Sequence, residues 1–265
     1  MAEEKKELTF LEHLEELRWH LVRSAFAIVI LAIAAFIFKD ILFDKIILAP
    51  KSPDFITNKW LCEFGKWMDI TALCINAEPF QLININLTGQ FTTHINISLI
   101  AGLILAFPYV FWEIWRFIKP ALYEKELKHT QGAVLVSSSL FLTGILFGYF
   151  LIVPLSLNFL GSYQVSSDVL NQINLKSYIS TITSISLAGG IAFELPILIY
   201  ILSKAGLVSS SFLKKYRRHS IIVILIISAI ITPPDIFSQI LVALPLFALY
   251  EVGIVIAKNI ERKNK

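Results

Sequence analysis

Charge is scarce in this sequence. Only 16% of its 265 residues are Asp, Glu, Lys or Arg, and 56% are apolar, against about 25% and about 45–50% in soluble domains. With a mean hydropathy of +0.70, a chain of this size has too little polar surface to cover itself in water. Glycine and proline number 11 and 10, too few for a collagen, and the apolar content excludes a disordered chain. Two cysteines are too few for a disulfide miniprotein. The net charge of +3 comes from basic residues scattered between apolar runs, so no nucleic acid is expected as a partner. The phosphate-cradling G-x-x-x-x-G-K-[ST] is missing, which removes the obvious way to bind and hydrolyse a nucleotide. His13, His20, His94, His129 and His219 show neither H-E-x-x-H nor paired-cysteine spacing, so no metal site is expected. No G-x-S-x-G elbow occurs, and Ser137 to Ser139 read as helix-packing residues. Neither catalysis nor a cofactor is expected, and whatever work the chain does must be driven from elsewhere.

What the sequence has in abundance is apolar runs near 20 residues long: Val22 to Phe38, Ile95 to Trp115, Gly132 to Pro154, Tyr178 to Leu202, Ser220 to Ile231 and Ile236 to Ala257. Lipid is therefore the expected solvent, and the fold class is an all-α membrane protein of six transmembrane helices forming one polytopic domain over residues 1–265. The fifth run, twelve residues and about 18 Å as a helix, is short for a hydrocarbon core of about 30 Å. Pro233 and Pro234 follow it and leave room only for a tight hairpin. Six crossings put both termini on one side. Seventeen of the 23 Lys and Arg residues lie in the segments on that side, which is expected to be cytoplasmic because cytoplasmic flanks carry the basic excess. The first residues are charged and acidic, so no cleaved signal peptide is expected.

Residues 39–90 then form a long extracytoplasmic loop that contains both cysteines. Cys62 and Cys74 stand where a disulfide can persist, and are either joined or two free thiols. Trp60, Phe64 and Trp67 fit either a membrane-surface patch or a small local core. Gly144 and Gly148 form a G-x-x-x-G that reads as helix packing.

Several polar residues are costly where they stand. Residues 1–21 read as a cytoplasmic amphipathic helix, with Leu11, Leu14, Leu17 and Leu21 along one side and acid on the other. Glu12 and Glu15 suit a solvated face, whereas Glu16 fits a solvated face and a binding site equally. In the next cytoplasmic loop Pro120 forces a turn, and a carboxylate there could face Glu16. Two fixed carboxylates suit a ligand with two guanidinium groups, because each planar fork takes one carboxylate bidentately and lysine cannot. The competing reading is an ordinary surface ion pair. Glu194 lies about 15 Å along a helix from Lys204, near the bilayer midplane, where a charge costs roughly 2.5–3.5 kcal/mol, so it should face a wet cavity or a partner helix, or be protonated. Pro196 can open the hydrogen-bond ladder beside it. Thr232 and Asp235 can cap the last helix. Gln239 either bonds within its own bundle or offers a polar contact to an incoming helix. A proton-coupled small-molecule secondary transporter, with Glu194 titrating, is the alternative function, although no inverted repeat supports it.

Four stretches carry a family resemblance: His13-Leu-Glu-Glu-Leu-Arg18, Phe117-Ile-Lys-Pro-Ala-Leu-Tyr123 with Glu126, Phe193-Glu-Leu-Pro196, and Thr232-Pro-Pro-Asp-Ile-Phe-Ser-Gln239. Together and in this order they resemble TatC, the receptor subunit of the twin-arginine protein translocase. The first outer loop is longer than in typical members. The resemblance implies a concave, glove-like bundle with short fifth and sixth helices, in the bacterial cytoplasmic membrane. It implies binding of twin-arginine signal peptides at the cytoplasmic face, association with TatA- and TatB-type single-span subunits and with further copies of itself, and export of folded proteins on the proton motive force. By matching position, Glu16 and Glu126 are the expected arginine-binding carboxylates, supported by Arg18 and Phe117. Glu194 is the expected intramembrane glutamate, and Thr232 and Gln239 the expected contacts for partner helices.

Overall fold

The computed structural model describes residues 10–70, 73–76, 80–118, 130–166, 168–169, 171–232 and 236–263. Five of its helical stretches are long and apolar enough to cross a membrane: Leu14–Ile37, Gly89–Ile118, Gly132–Ser162, Leu175–Lys204 and Ser238–Arg262. The chain folds into two compact units, residues 1–37 with 98–138 and residues 38–97 with 139–265.

In the first unit, helix α1 (Phe10–Ile37) runs unbroken for 28 residues. It contains neither glycine nor proline, so nothing separates the amphipathic start from the first membrane span. Val22, Phe26, Ile30, Ile33 and Ile37 are exposed along it, a surface suited to hydrocarbon. The unit's second long helix, α3 (Gly89–Ile118), continues through Pro108. The two helices come so close that a Cβ on Gly102 would lie 2.6 Å from the Ala32 nitrogen.

The second unit begins with a π-helical turn (Ile41–Ile47) and helix α2 (Ile56–Trp67). The long outer loop is thus folded, and its interior combines buried Ile47, Phe55 and Ile75 with buried asparagines. Buried Asn58 donates to the carbonyls of Pro50 at 3.1 Å and Ser52 at 2.8 Å, and Asn76 Nδ2 donates to the Pro154 carbonyl at 3.1 Å. Cys62 and Cys74 are disulfide-bonded. A two-residue parallel pair, Leu82↔Ile173 and Ile83↔Asn174, is the one departure from all-α structure among the described residues.

The third membrane stretch comprises α4 (Thr130–Phe147), a π-helical turn (Gly148–Ile152) and α5 (Val153–Ser162). Pro154 has no N–H to give the Phe150 carbonyl four residues back. The Thr57 hydroxyl from α2 donates to that carbonyl at 2.5 Å. The fourth stretch is α6 (Leu175–Phe193) followed by α7 (Leu195–Lys204). Gly144 and Gly148 face α6: a Cβ on Gly144 would lie 2.5 Å from the Gly189 carbonyl oxygen. Buried Ile152, Val153, Leu157, Tyr178, Ile179 and Ile182 form the core here.

Helix α8 (Ser210–Lys215) leads into α9 (Arg217–Ile231), which has 15 residues, and α10 (Ile236–Lys263), which has 28. The fifth apolar run is short, as its length implies. The sixth helix, expected to be short, is among the longest. Its apolar run passes without a break into Lys258–Lys263, residues that themselves favour helix, and it packs against α7, α8 and α9. Tyr250 donates to the Leu213 carbonyl at 2.8 Å, and Glu261 accepts from Ser210 N at 2.6 Å, so α8 is tied to it at both ends.

Candidate functional site

The acidic start of α1 and the end of α3 are joined by a buried polar cluster. Glu113 on α3 is only 1% exposed. It is hydrogen-bonded to Nδ1 of buried His20, its Oε1 accepts the Tyr109 hydroxyl at 3.0 Å, and the Arg23 guanidinium lies 3.9 Å from that oxygen. A carboxylate inside an apolar helix pair is tolerable only with partners of this kind. His20 also presents its ring to Phe117, edge to face, with centroids 6.0 Å apart.

Helix geometry carries the consequence to the expected ligand groups. Glu16 precedes His20 by four residues and Phe117 follows Glu113 by four, each about 6 Å along its helix and on the same face. The cluster therefore fixes the half-buried Glu16 on the stretch of α1 adjoining half-buried Phe117. Arg18 points elsewhere: it is exposed, 3.5 Å from Glu15, and its guanidinium lies 5.6 Å from the Trp19 ring centre. Such an exposed pair contributes little to stability. Glu126 and Pro120 lie outside the described residues, and so does Asp235.

The His20–Glu113 pair was not found by sequence reasoning. The two residues are 93 positions apart, and histidine spacing along the chain speaks only to metal binding. The available signal was Glu113 itself, a carboxylate inside the run Ile95 to Trp115 that needed a partner.

The carboxylate expected to lie within the membrane sits at a break. Glu194 ends α6 and precedes α7, with φ −74° and ψ −5°. Its N–H bonds the Ile191 carbonyl three residues back, and its own carbonyl accepts from Ile197 and Leu198, both at 3.0 Å. Pro196 occupies the first turn of α7, where its missing N–H costs nothing. The ladder is thus interrupted at Glu194 and the side chain is half-buried.

At the other end of the unit, Thr232 is buried and its hydroxyl donates to the Ser228 carbonyl at 2.8 Å, closing α9. Gln239 Nε2 donates to the Leu225 carbonyl at 3.1 Å, so its amide joins α10 to α9. Glu251 on α10 pairs with Arg217 at the start of α9 at 2.6 Å. An open groove of about 620 Å³ runs beside Thr232, lined on α6 by Lys176, Ser177, Ser180, Thr181 and Ser184.

Similarity to known proteins is extensive. Residues 12–245 match the family model described as Sec-independent protein translocase protein (TatC). The chain is 40% identical over 265 residues to the Sec-independent protein translocase protein TatC of Blattabacterium sp. subsp. Periplaneta americana, covering 99% of this chain and all of that one. It is 37% identical to the protein of that name from Carboxydothermus hydrogenoformans, covering 98% and 97%. A crystal structure of the twin arginine translocase receptor TatC superposes with a TM-score of 0.66 at 33% identity, covering 94% of this chain and 99% of that one. A second, determined in the detergent DDM, gives 0.71 at 34%, covering 92% and 99%.

Proposed function

The chain belongs to the TatC family of Sec-independent protein translocase proteins, and from that premise we propose that it is the receptor that takes twin-arginine signal peptides at the cytoplasmic face. It is an inner-membrane component of the Tat translocase and not an enzyme. Membership in a protein-transport family removes the small-molecule transporter reading.

On the proposed arrangement both termini are cytoplasmic and the membrane is crossed six times. The fifth crossing falls to α9, whose 15 residues reach about 22 Å, so the bilayer thins there or flanking residues enter it. Glu16 and Glu126 each take one guanidinium of the paired arginines, and Phe117 lies beside them. The observation that supports this reading is the His20–Glu113 cluster, which ties α1 to α3 one helical turn from half-buried Glu16 and beside the His20–Phe117 contact. A rigid carboxylate binds a planar fork with less loss of freedom than a mobile one. Glu126 enters through its motif alone. TatA- and TatB-type helices dock along α9 and α10, where the hydroxyl-lined groove beside Thr232 offers polar contacts and Gln239 holds the two helices together, and further copies of the chain join the receptor complex. Transport of folded cargo draws on the proton motive force.

Photocrosslinking of a labelled signal peptide to membranes containing the protein tests the site. Crosslinking is expected with paired arginines and is expected to fall about tenfold or more with Glu16→Ala or Glu126→Ala, since a hydrogen bond between charged groups contributes about 1.5–3 kcal/mol. Equal crosslinking of a twin-lysine peptide would remove the bidentate basis of the proposal.

A further inference from the structure

One face of α2 is apolar and exposed. Ile56, Trp60, Phe64 and Trp67 follow spacings of four, four and three, so they lie on one side of the helix, and they are 66%, 70%, 44% and 81% exposed. Their rings form a row, with Trp60 stacked on Phe64 at 6.4 Å between centroids and Phe64 next to Trp67 at 5.9 Å. The opposite side is fixed to the protein by buried Asn58, by Gly65 and by the Cys62–Cys74 disulfide. The aromatic residues are thus not the centre of a local core.

We propose that α2 is an interfacial membrane anchor, with this aromatic stripe seated at the headgroup–acyl boundary of the bilayer that the chain crosses. Three observations point to lipid as the occupant. The start of α2 is held directly against a membrane-spanning stretch: Phe55 stacks on Phe150 at 5.5 Å, and Thr57 donates to the Phe150 carbonyl, both within reach of Gly132–Ser162. A helix is about 10–12 Å across with its side chains, so one docked there has its outer side beside the bilayer. Tryptophan and phenylalanine on one side of an amphipathic helix are the side chains that favour this boundary. The charge pattern matches as well. Lys59, Glu63 and Lys66 form a polar row along one flank of the stripe, with Lys59 paired to Asp54 at 3.0 Å, and a charged flank beside an apolar stripe suits the headgroup level. The disulfide then keeps the helix presented by closing a 12-residue separation at its inner side. This inference rests on membrane residence and not on the signal-peptide reading, and its outcome is independent of peptide binding.

The test uses the full chain in phosphatidylcholine–phosphatidylglycerol vesicles, with Trp19, Trp112 and Trp115 replaced by Phe so that Trp60 and Trp67 are the only indoles. Acyl-chain-brominated lipid and aqueous iodide are compared as quenchers. Should that triple variant fail to fold, the same quenching is read as the difference between the native chain and its Trp60→Phe, Trp67→Phe variant. Bromolipid quenching is expected to exceed iodide quenching several-fold. Stronger quenching by iodide would place the stripe in water and overturn the proposal. Protection from both quenchers would mean that protein covers it, a second copy included, and would overturn it equally.

Discussion

Glu113 shows how one side chain can set the position of another that does the binding. It is buried against His20, with the more exposed Tyr109 and Arg23 at its outer side, and removing it leaves the buried His20 ring in an apolar helix pair without its partner. Glu113→Ala is therefore expected to lower stability by about 3 kcal/mol, read as a fall in melting temperature in detergent. Glu113→Gln keeps the volume and an acceptor for the Tyr109 hydroxyl, and should cost clearly less. If both variants melted with the native protein, the cluster would have no structural role. Glu194 makes a different demand, because it stands at the α6–α7 break, in the unit that does not contain Glu16 and Phe117. Glu194→Ala is expected to impair transport while leaving twin-arginine peptide affinity within about twofold, the ordinary range for substitutions away from a contact. Equal loss of both would move Glu194 into the recognition step.

Individual elements respond to backbone approach and to covalent closure. Gly144 touches the backbone of α6 at Gly189, so Gly144→Ala must push two membrane helices apart. The expected cost is about 1–3 kcal/mol, measurable as lowered detergent stability; a neutral result would show that α4 and α6 slide without penalty. Around α2, the Cys62–Cys74 bridge closes a separation of 12 residues and is expected to contribute about 3 kcal/mol. Dithiothreitol, or the Cys62→Ser, Cys74→Ser variant, should lower the melting temperature accordingly, and identical melting with and without reductant would remove that role. The G-x-x-x-G was legible in the sequence because its signal is local. The fold of the outer loop was not, since Asn58 and Asn76 acquire their partners from Pro50, Ser52 and Pro154 and no sequence period reports that.

At the scale of the whole molecule, the excess of Lys and Arg on one side makes cytoplasmic termini the expected arrangement. A single cysteine added after Lys265 should react with a membrane-impermeant maleimide only when spheroplasts are opened, and labelling in intact spheroplasts would reverse the orientation. Five of the six apolar runs reappear, among the described residues, within helical stretches of 24 to 31 residues, long and apolar enough to cross a membrane. The fifth run was visible mainly as a shortage of length, and α9 keeps that shortage. Helix α10, short only on the family resemblance, follows its own long apolar run from Ile236 to Ala257 and adds Lys258–Lys263, which is polar yet helix-forming.

Composition by itself determined the solvent: with so few charged groups and so many apolar runs, backbone polar groups had to be satisfied within helices buried in lipid. Local patterns also determined the carboxylates worth watching, because a charge in an apolar run is expensive wherever the chain folds. Tertiary structure alone decided their partners. Glu113 met His20 across 93 residues, the Phe150 carbonyl met Thr57 across another 93, and the aromatic side of α2 turned outward. Each outcome depends on which surfaces approach one another, and hydrogen bonds and packing between distant segments leave no period in the sequence that could announce them.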